Sequence, residues 1–260
     1  MPDAGSLTAL HFALALAVMA LSGFVHGALG LGFPLVATPL LALFTDIKTA
    51  IVFTLLPSLT AIVISLVKGG RPAEVIRAYW MLPLYMIAGS YLGARLLIVA
   101  DPTPFLLLLA LLILAYLNLQ RLRGLASGWI GVHPRAARAA FGLVAGVFES
   151  TANVAGPVLL IFFLSTALPP LALVQALNLC FLAGKSTQAL TLGLAGGVPA
   201  AVWLSTLPFA GIGAAGLLWG MRVRSRIDAE TYRGWLRRAL WVIAALLIGQ
   251  FAWTMTSNYQ

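Results

Sequence analysis

The sequence predicts an all-α integral membrane protein made of two inverted repeats, each with a broken helix or re-entrant hairpin plus about three spanning helices. Composition, an internal repeat and the distribution of arginine support this prediction. Of the 260 residues, 61% are hydrophobic and only 9% are charged, and the mean hydropathy is +1.00. A soluble domain carries about 25% charged residues. The chain is therefore expected to cross the lipid bilayer several times.

The internal repeat begins with two interruptions of apolar sequence, at residues 23–34 and 146–157. A shift of 123 positions matches Gly23 with Gly146, His26 with Glu149, Gly30 with Asn153, and Pro34 with Pro157. Further along, a shift of 127 matches the Gly-Gly turns at 69–70 and 196–197 and places Gly89, Gly93 and Arg95 on Gly216, Gly220 and Arg222. Interrupted apolar segments at corresponding places in two halves indicate a transporter binding site.

Both interruptions are expected to break a helix inside the membrane, because glycine and proline weaken helical backbone. Broken backbone at that depth is tolerated only where protein or a water-filled cavity covers its polar groups. The apolar segments that follow, at residues 33–44 and 156–168, are shorter than the roughly 20 residues that a span needs. Whether they span or re-enter is left open.

The chain divides into a first repeat at residues 1–120, a polar cytoplasmic linker at 121–135 and a second repeat at 136–260. The N-terminus is expected to be retained. The predicted segments of the first repeat are 7–29, 33–44, 47–67, 75–99 and 105–119. Those of the second are 136–153, 156–168, 171–194, 200–221 and 239–255, with a basic loop at 222–238.

The formal net charge of +9 comes largely from arginines clustered in a few short loops. Such clusters are typical of cytoplasmic loops rather than of nucleic-acid binding. With five segments in each half and both termini outside, the basic stretches at 68–77, 121–138 and 222–238 all face the cytoplasm. An odd number of segments inverts the second half relative to the first. The tips of the two interruptions, residues 27–34 and 150–157, would then meet near the membrane midplane.

Three ionisable residues within predicted spans are functional candidates, namely His26, Glu149 and Lys185. Glu149 and Lys185 are expected either to form a structural ion pair or to serve transport, with Glu149 as a proton carrier. His26 is either a neutral packing residue or a group that donates to an anion or carries a proton, since its unperturbed pKa is about 6.5.

An anion site is favoured because half-helix N-termini present free N–H groups and positive dipole ends. The alternative for the polar side chains, Thr54 and Asn178 included, is hydrogen bonding between helices. The predicted substrate-binding residues are His26, Gly27, Gly30, Gly32, Ser150, Thr151, Asn153, Gly156, Asn178 and Lys185.

Other function classes find little support in the sequence. The single cysteine, Cys180, excludes an intrachain disulfide. The three histidines are not spaced as a metal site, and we expect neither a metal nor another cofactor. No enzyme motif is apparent, and an intramembrane enzyme using His26 and Glu149 as acid and base is the less favoured alternative.

The sequence resembles the sulfite exporter TauE/SafE family, also called the TSUP family. The resemblance rests on Gly-Ala-Leu-Gly-Leu-Gly-Phe-Pro-Leu at residues 27–35, on Gly-Leu-Val-Ala-Gly at 142–146, and on Gly156-Pro157. Two repeats joined by a basic linker also fit the family, and the resemblance covers nearly the whole chain.

The resemblance implies a carrier of the bacterial inner membrane for small sulfur-containing anions such as sulfite, thiosulfate or organosulfonates. The residues alone indicate a secondary transporter with a midplane site, with protons as a candidate coupling ion. An anion channel or facilitator and a non-transporting subunit remain alternatives. The direction of transport, the anion and the oligomeric state stay open.

Overall fold

The computed structural model describes residues 9–70, 72–166, 168–195, 198–224 and 229–257, which form thirteen α-helices and no strand. Five helices in this part of the chain are long and apolar enough to cross a membrane, and a sixth span results if the bent pair at 103–132 counts as one. The prediction of an all-α membrane protein is confirmed.

The helices of the first half follow the predicted order. They are α1 Ala9–Leu29, α2 Phe33–Ala42, α3 Ile47–Lys68, α4 Pro72–Tyr79, α5 Met81–Val99 and α6 Thr103–Leu117. Helix α2 has 10 residues, so it is about 15 Å long and cannot cross a core of about 30 Å. Asp46 caps α3 by accepting a hydrogen bond from the Thr49 N–H at 3.0 Å.

The second half repeats this order after an additional helix. It contains α7 Leu119–Val132, α8 Pro134–Ala152, α9 Gly156–Ser165, α10 Pro170–Leu194, α11 Ala200–Ser205, α12 Leu207–Val223 and α13 Ala229–Ser257. The short α9 corresponds to α2. Helix α10 is long enough to span, at 25 residues, but it carries buried Gln175, Asn178, Lys185 and Gln188.

Two predicted spans are each divided into two helices. The segment predicted at 75–99 is interrupted at Trp80 between α4 and α5, and the segment at 200–221 at Thr206 between α11 and α12. Pro83 and Pro208 lie just after these interruptions. A proline has no N–H to donate to the carbonyl four residues earlier, so the helix is weakened there.

The regions predicted as a polar linker and a basic loop are more helical than expected. Residues 119–132 form α7, which bends by 82° from α6, and α13 already begins at Ala229. Residues 225–228 lie outside the described part. Charge marked these stretches as outside the membrane, but arginine, leucine and alanine also favour helix.

The contact between α1 and α12 is made through glycines. A Cβ at Gly23 would meet the carbonyl of Gly213, and one at Gly27 would meet the carbonyl of Leu217. Because both positions advance by four residues, the two helices run parallel. Small residues let membrane helices approach this closely.

The second half builds the same contact between α8 and α5. A Cβ at Gly89 would meet the Leu143 carbonyl, and one at Gly93 would meet the Val147 carbonyl. These helices are also parallel. Since α8 corresponds to α1 and α5 to α12 in the repeat, each half packs its first helix on the other half's fourth segment.

The corresponding helices α3 and α10 run antiparallel. Gln175, early in α10, donates from Nε2 to the Ser65 carbonyl late in α3 at 3.4 Å. Lys185, later in α10, and Thr54, earlier in α3, both hydrogen-bond the side chain of Asn153. Opposite directions for equivalent helices are what inverted repeats require.

Candidate functional site

The first break separates α1 from α2 at residues 30–32. Gly30 has a φ of 83° and Gly32 a φ of 105°, a left-handed conformation that glycine adopts without steric cost. The Gly30 N–H donates to the His26 carbonyl at 2.7 Å and thereby ends α1. Gly30 and Gly32 of the sequence motif therefore suit the backbone turn.

The second break separates α8 from α9 and uses the same geometry. Asn153 has a φ of 59°, and its N–H donates to the Glu149 carbonyl at 3.1 Å. Asparagine is one of the few non-glycine residues that tolerate this conformation. Gly30 and Asn153, which the repeat matches, thus have the same backbone role.

His26 and Glu149 also perform equivalent tasks. The His26 Nδ1 accepts a hydrogen bond from the Phe33 N–H at 3.4 Å, and the Glu149 Oε2 accepts one from the Ala155 N–H at 3.1 Å. The first N–H groups of a helix have no partner within it. Each side chain therefore satisfies a free N–H group at the start of the short helix beyond its own break.

The geometry around His26 defines its tautomer. Its Nε2 lies 3.0 Å from the Ser65 Oγ on α3, and the ring is fully buried. An imidazole that accepts at Nδ1 is neutral and carries its proton on Nε2, so it donates to Ser65.

Glu149 and Lys185 form an ion pair in the interior of the protein. The Lys185 Nζ lies 3.0 Å from the Glu149 Oε1, and both side chains are fully buried. No hydrogen bond reaches that oxygen from a described residue, so charge rather than an aligned hydrogen bond holds it. Lys185 also donates to the Asn153 Oδ1 and, at 3.1 Å, to the Gln188 Oε1.

The Asn153 amide connects the second break to the first half. Its Nδ2 lies 2.5 Å from the Thr54 Oγ1 and 3.1 Å from the Thr38 Oγ1. Its Oδ1 accepts from Lys185. Asn153 therefore lies between the buried ammonium group and the two threonines of α2 and α3.

The first break is linked to the second half in return. The Asn178 Nδ2 donates to the Gly30 carbonyl at 3.3 Å and to the Val174 carbonyl at 3.0 Å. The Asn178 Oδ1 is buried without a described hydrogen-bond partner. Each break is thus held by an amide side chain that crosses between the halves.

One cavity joins the two breaks. Its lining includes Leu31, Gly32 and Pro34 from the first break and residues 153–156 from the second. The volume is about 20 Å³, enough for about one water molecule but not for an oxyanion. A Cβ at Gly156 would meet nothing within 4 Å. The breaks therefore meet, but around a space too small for the substrate.

Three of the predicted site residues form packing contacts and do not line the cavity. The Ser150 Oγ lies 2.5 Å from the Ser90 Oγ and joins α8 to α5. The Thr151 hydroxyl donates to the Val147 carbonyl of its own helix at 2.8 Å. Gly27 packs against the α12 backbone.

Sequence reasoning missed Thr38 and Ser65, which contact Asn153 and His26. A hydroxyl in an otherwise apolar segment was the signal available for both. Among the described residues, no group of three or more His, Cys, Asp or Glu is placed to hold a metal ion.

Comparison with known proteins agrees with this architecture. The model of the family "Sulfite exporter TauE/SafE" matches residues 15–251. Neither the curated proteins nor the solved structures give a match. Because the family match covers most of the chain, the protein belongs to this family of membrane transporters, and the family prediction is confirmed.

Proposed function

We propose that this member of the TauE/SafE family is a secondary transporter, and an exporter, of small sulfur-containing anions such as sulfite, thiosulfate or organosulfonates. It would work in the bacterial inner membrane by alternating access around a midplane site. The supporting observation is that both helix breaks line one cavity with the Asn153–Lys185 pair beside it.

The charge arrangement suits a site that is occupied only part of the time. A buried ammonium group needs a partner, and Glu149 supplies it in this structure. An anion in an enlarged cavity would lie near the Asn153 amide, which Lys185 already contacts. The protonation of Glu149 can then change in response to the charge of the substrate.

The proposed substrate-binding set remains the one expected from the sequence, and its members differ in support. Gly32, Asn153 and Gly156 line the cavity, and Lys185 contacts Asn153. His26, Gly30 and Asn178 hold the first break. Gly27, Ser150 and Thr151 have packing contacts, so their role in binding depends on a rearrangement.

Protons are the proposed coupling ion, with Glu149 and His26 as carriers. An anion about 4 Å from an ionised carboxylate is repelled by roughly 1–4 kcal/mol. Protonation of Glu149 removes that repulsion, and protonation of His26 adds attraction. If Lys185 keeps Glu149 ionised, His26 alone carries the coupling. By linkage, anion binding is accompanied by proton uptake.

Alternating access requires this small cavity to widen and to open towards one side at a time. The hydrogen bonds of Asn153 to Thr38 and Thr54, and of Asn178 to Gly30, cross between the halves. We propose that these two sets separate in turn. Rocking of one helix bundle against another around a fixed site is the general mechanism of such folds.

The test is a thermal-shift screen of the purified protein with sulfite, thiosulfate, sulfate, sulfoacetate and taurine, followed by flux measurements in proteoliposomes. We expect stabilisation by at least one sulfur anion and a flux that saturates and responds to a pH gradient. A flux that neither saturates nor depends on pH would indicate a channel. Absence of both stabilisation and flux for all five compounds contradicts the proposal.

A further inference from the structure

A second, larger cavity opens beside the first break and has no role in the mechanism above. Its volume is about 390 Å³, within the range of small-molecule sites. We call it the basic vestibule, with Lys68, Gly70 and Arg224 at its mouth and Gly30, Ser65 and Val174 deeper inside.

The mouth of the basic vestibule carries two positive charges that have no negative partner among the described residues. Lys68 ends α3 and Arg224 follows α12, and both side chains are exposed. None of the residues that the structure shows lining the vestibule is acidic. Within the described part of the chain, neither cation forms an ion pair; the ion pair found there joins Lys185 and Glu149.

The inner end of the vestibule reaches the network of the first break. Ser65 lines it and accepts the hydrogen bond from His26. Gly30 also lines it, two residues before Gly32, which lines the small cavity between the breaks. An anion in the vestibule is therefore separated from the proposed transport site by the first break itself.

The second half has no copy of this charged mouth. The shift of 127 places Ala195 at the position of Lys68 and Leu97 at the position of Arg224. The corresponding surface at the other end of the inverted repeat thus lacks both cations. The vestibule shares its side with the basic stretches at 68–77 and 222–238, which the positive-inside rule places in the cytoplasm.

We propose that the basic vestibule is a cytoplasmic capture site for the oxyanion or sulfonate group of the substrate, with Lys68 and Arg224 as its binding residues. The inference rests on the proposed function and adds a second site and a direction to it. A charged mouth raises the local concentration of oppositely charged ligands and their rate of arrival. A divalent anion gains from both cations, whereas a zwitterion such as taurine gains little.

The first test is electrostatic and does not depend on transport. A Val174→Cys variant on a Cys180→Ser background is treated with a sulfonate-bearing and a trimethylammonium-bearing methanethiosulfonate. The measured ratio is the reaction rate of the sulfonate reagent divided by that of the trimethylammonium reagent. We expect this ratio to fall by about threefold to tenfold when Lys68→Gln and Arg224→Gln are added. Arg121→Gln with Arg237→Gln removes the same charge from another cavity and should leave the ratio unchanged. An equal ratio in all backgrounds overturns the inference.

The second test is flux from the cytoplasmic side. Lys68→Gln and Arg224→Gln should each raise the KM for thiosulfate about threefold to tenfold, with the maximal rate preserved, and Arg224→Lys should restore most of the affinity. The KM for taurine, if taurine is carried, should change less. An active parent with an unchanged KM in the double variant overturns this inference alone. A parent without flux overturns the proposed function, and the reaction-rate ratio still decides whether the vestibule attracts anions.

Discussion

At the scale of single residues, the buried pair of Lys185 and Glu149 is the most consequential feature. Two charges in the protein interior lose much of their hydration, and their attraction has to compensate for that loss. Asn153 and Gln188 supply further hydrogen bonds to the ammonium group. The pair therefore depends on all of its neighbours, and removing one charge is worse than removing both.

A double-mutant cycle tests this dependence. Glu149→Gln and Lys185→Met should each destabilise the protein by about 3–5 kcal/mol, because each leaves one buried charge unpaired. The double variant should recover a large part of that loss. Thermal unfolding in detergent measures the effect, and additive losses in the double variant would show that the two charges are not coupled.

The pH dependence of anion binding tests His26 and Glu149 as proton carriers. Affinity for thiosulfate should increase as the pH falls from 8.5 to about 5.5, because a protonated His26 attracts the anion and a protonated Glu149 no longer repels it. His26→Gln and Glu149→Gln should each flatten the curve if both residues take part. The measurement is repeated for sulfite with a correction for its own titration. If the plots of affinity against pH are parallel for all three proteins, both residues have a structural role only.

At the scale of helices, the two breaks and the two glycine contacts fix the architecture. The breaks use left-handed residues, Gly30 and Asn153, to end α1 and α8. The glycines of α1, α5, α8 and α12 let these helices touch through their backbones. Substitutions in the two groups should therefore have different consequences, loss of function at the breaks and loss of packing at the contacts.

Gly156 offers the cleaner test of the break. A leucine there should abolish flux while membrane insertion and stability are retained, because the position has an ordinary helical backbone and faces space within the cavity. Gly193→Leu is the matched control, since Gly193 is exposed on α10 and a Cβ there also meets nothing within 4 Å. Normal anion binding by Gly156→Leu would place the substrate elsewhere. Gly30→Leu should also abolish flux, but its φ of 83° adds backbone strain.

Gly216 tests the packing of α1 against α12. A Cβ at this position would meet the Ala20 carbonyl, so Gly216→Val should force the two helices apart and lower the thermal midpoint and the yield of folded protein. Gly249→Val is the control, because nothing lies within 4 Å of a Cβ there. Equal midpoints for the two variants would show that close approach of α1 and α12 contributes nothing to stability.

At the scale of the whole molecule, the inverted arrangement predicts the membrane topology. On a Cys180→Ser background, cysteines at Ser127 and Ser225 should be labelled from the cytoplasm, and one at Asp101 from outside. A first helix that returns to its own side through its short helix leaves the basic stretches together on one face, as five crossings per half would. Ser225 lies outside the described residues. Labelling of positions 127 and 225 from opposite sides would exclude the inverted repeat. The repeat bounds at 120 and 136 and the extracytoplasmic termini are predictions that depend on the same result.

The sequence by itself determined the class of protein, the order of the segments and the positions of both breaks. These follow from local properties, since hydropathy, glycine and proline act over a few residues. The match of Gly30 with Asn153 and of His26 with Glu149 could be recognised in the sequence for the same reason. In the structure, the two members of each pair have the same geometry.

Only the tertiary structure decided which candidate residues surround the shared cavity and which serve packing. Ser150 and Thr151 are as polar as Asn153, but their hydroxyls contact neighbouring helices, whereas the left-handed backbone of Asn153 turns its amide towards the other half. The meeting of the two breaks, the parallel glycine contacts and the basic vestibule all join segments far apart in the chain. Such contacts depend on how whole helices pack, which no local pattern of residues specifies.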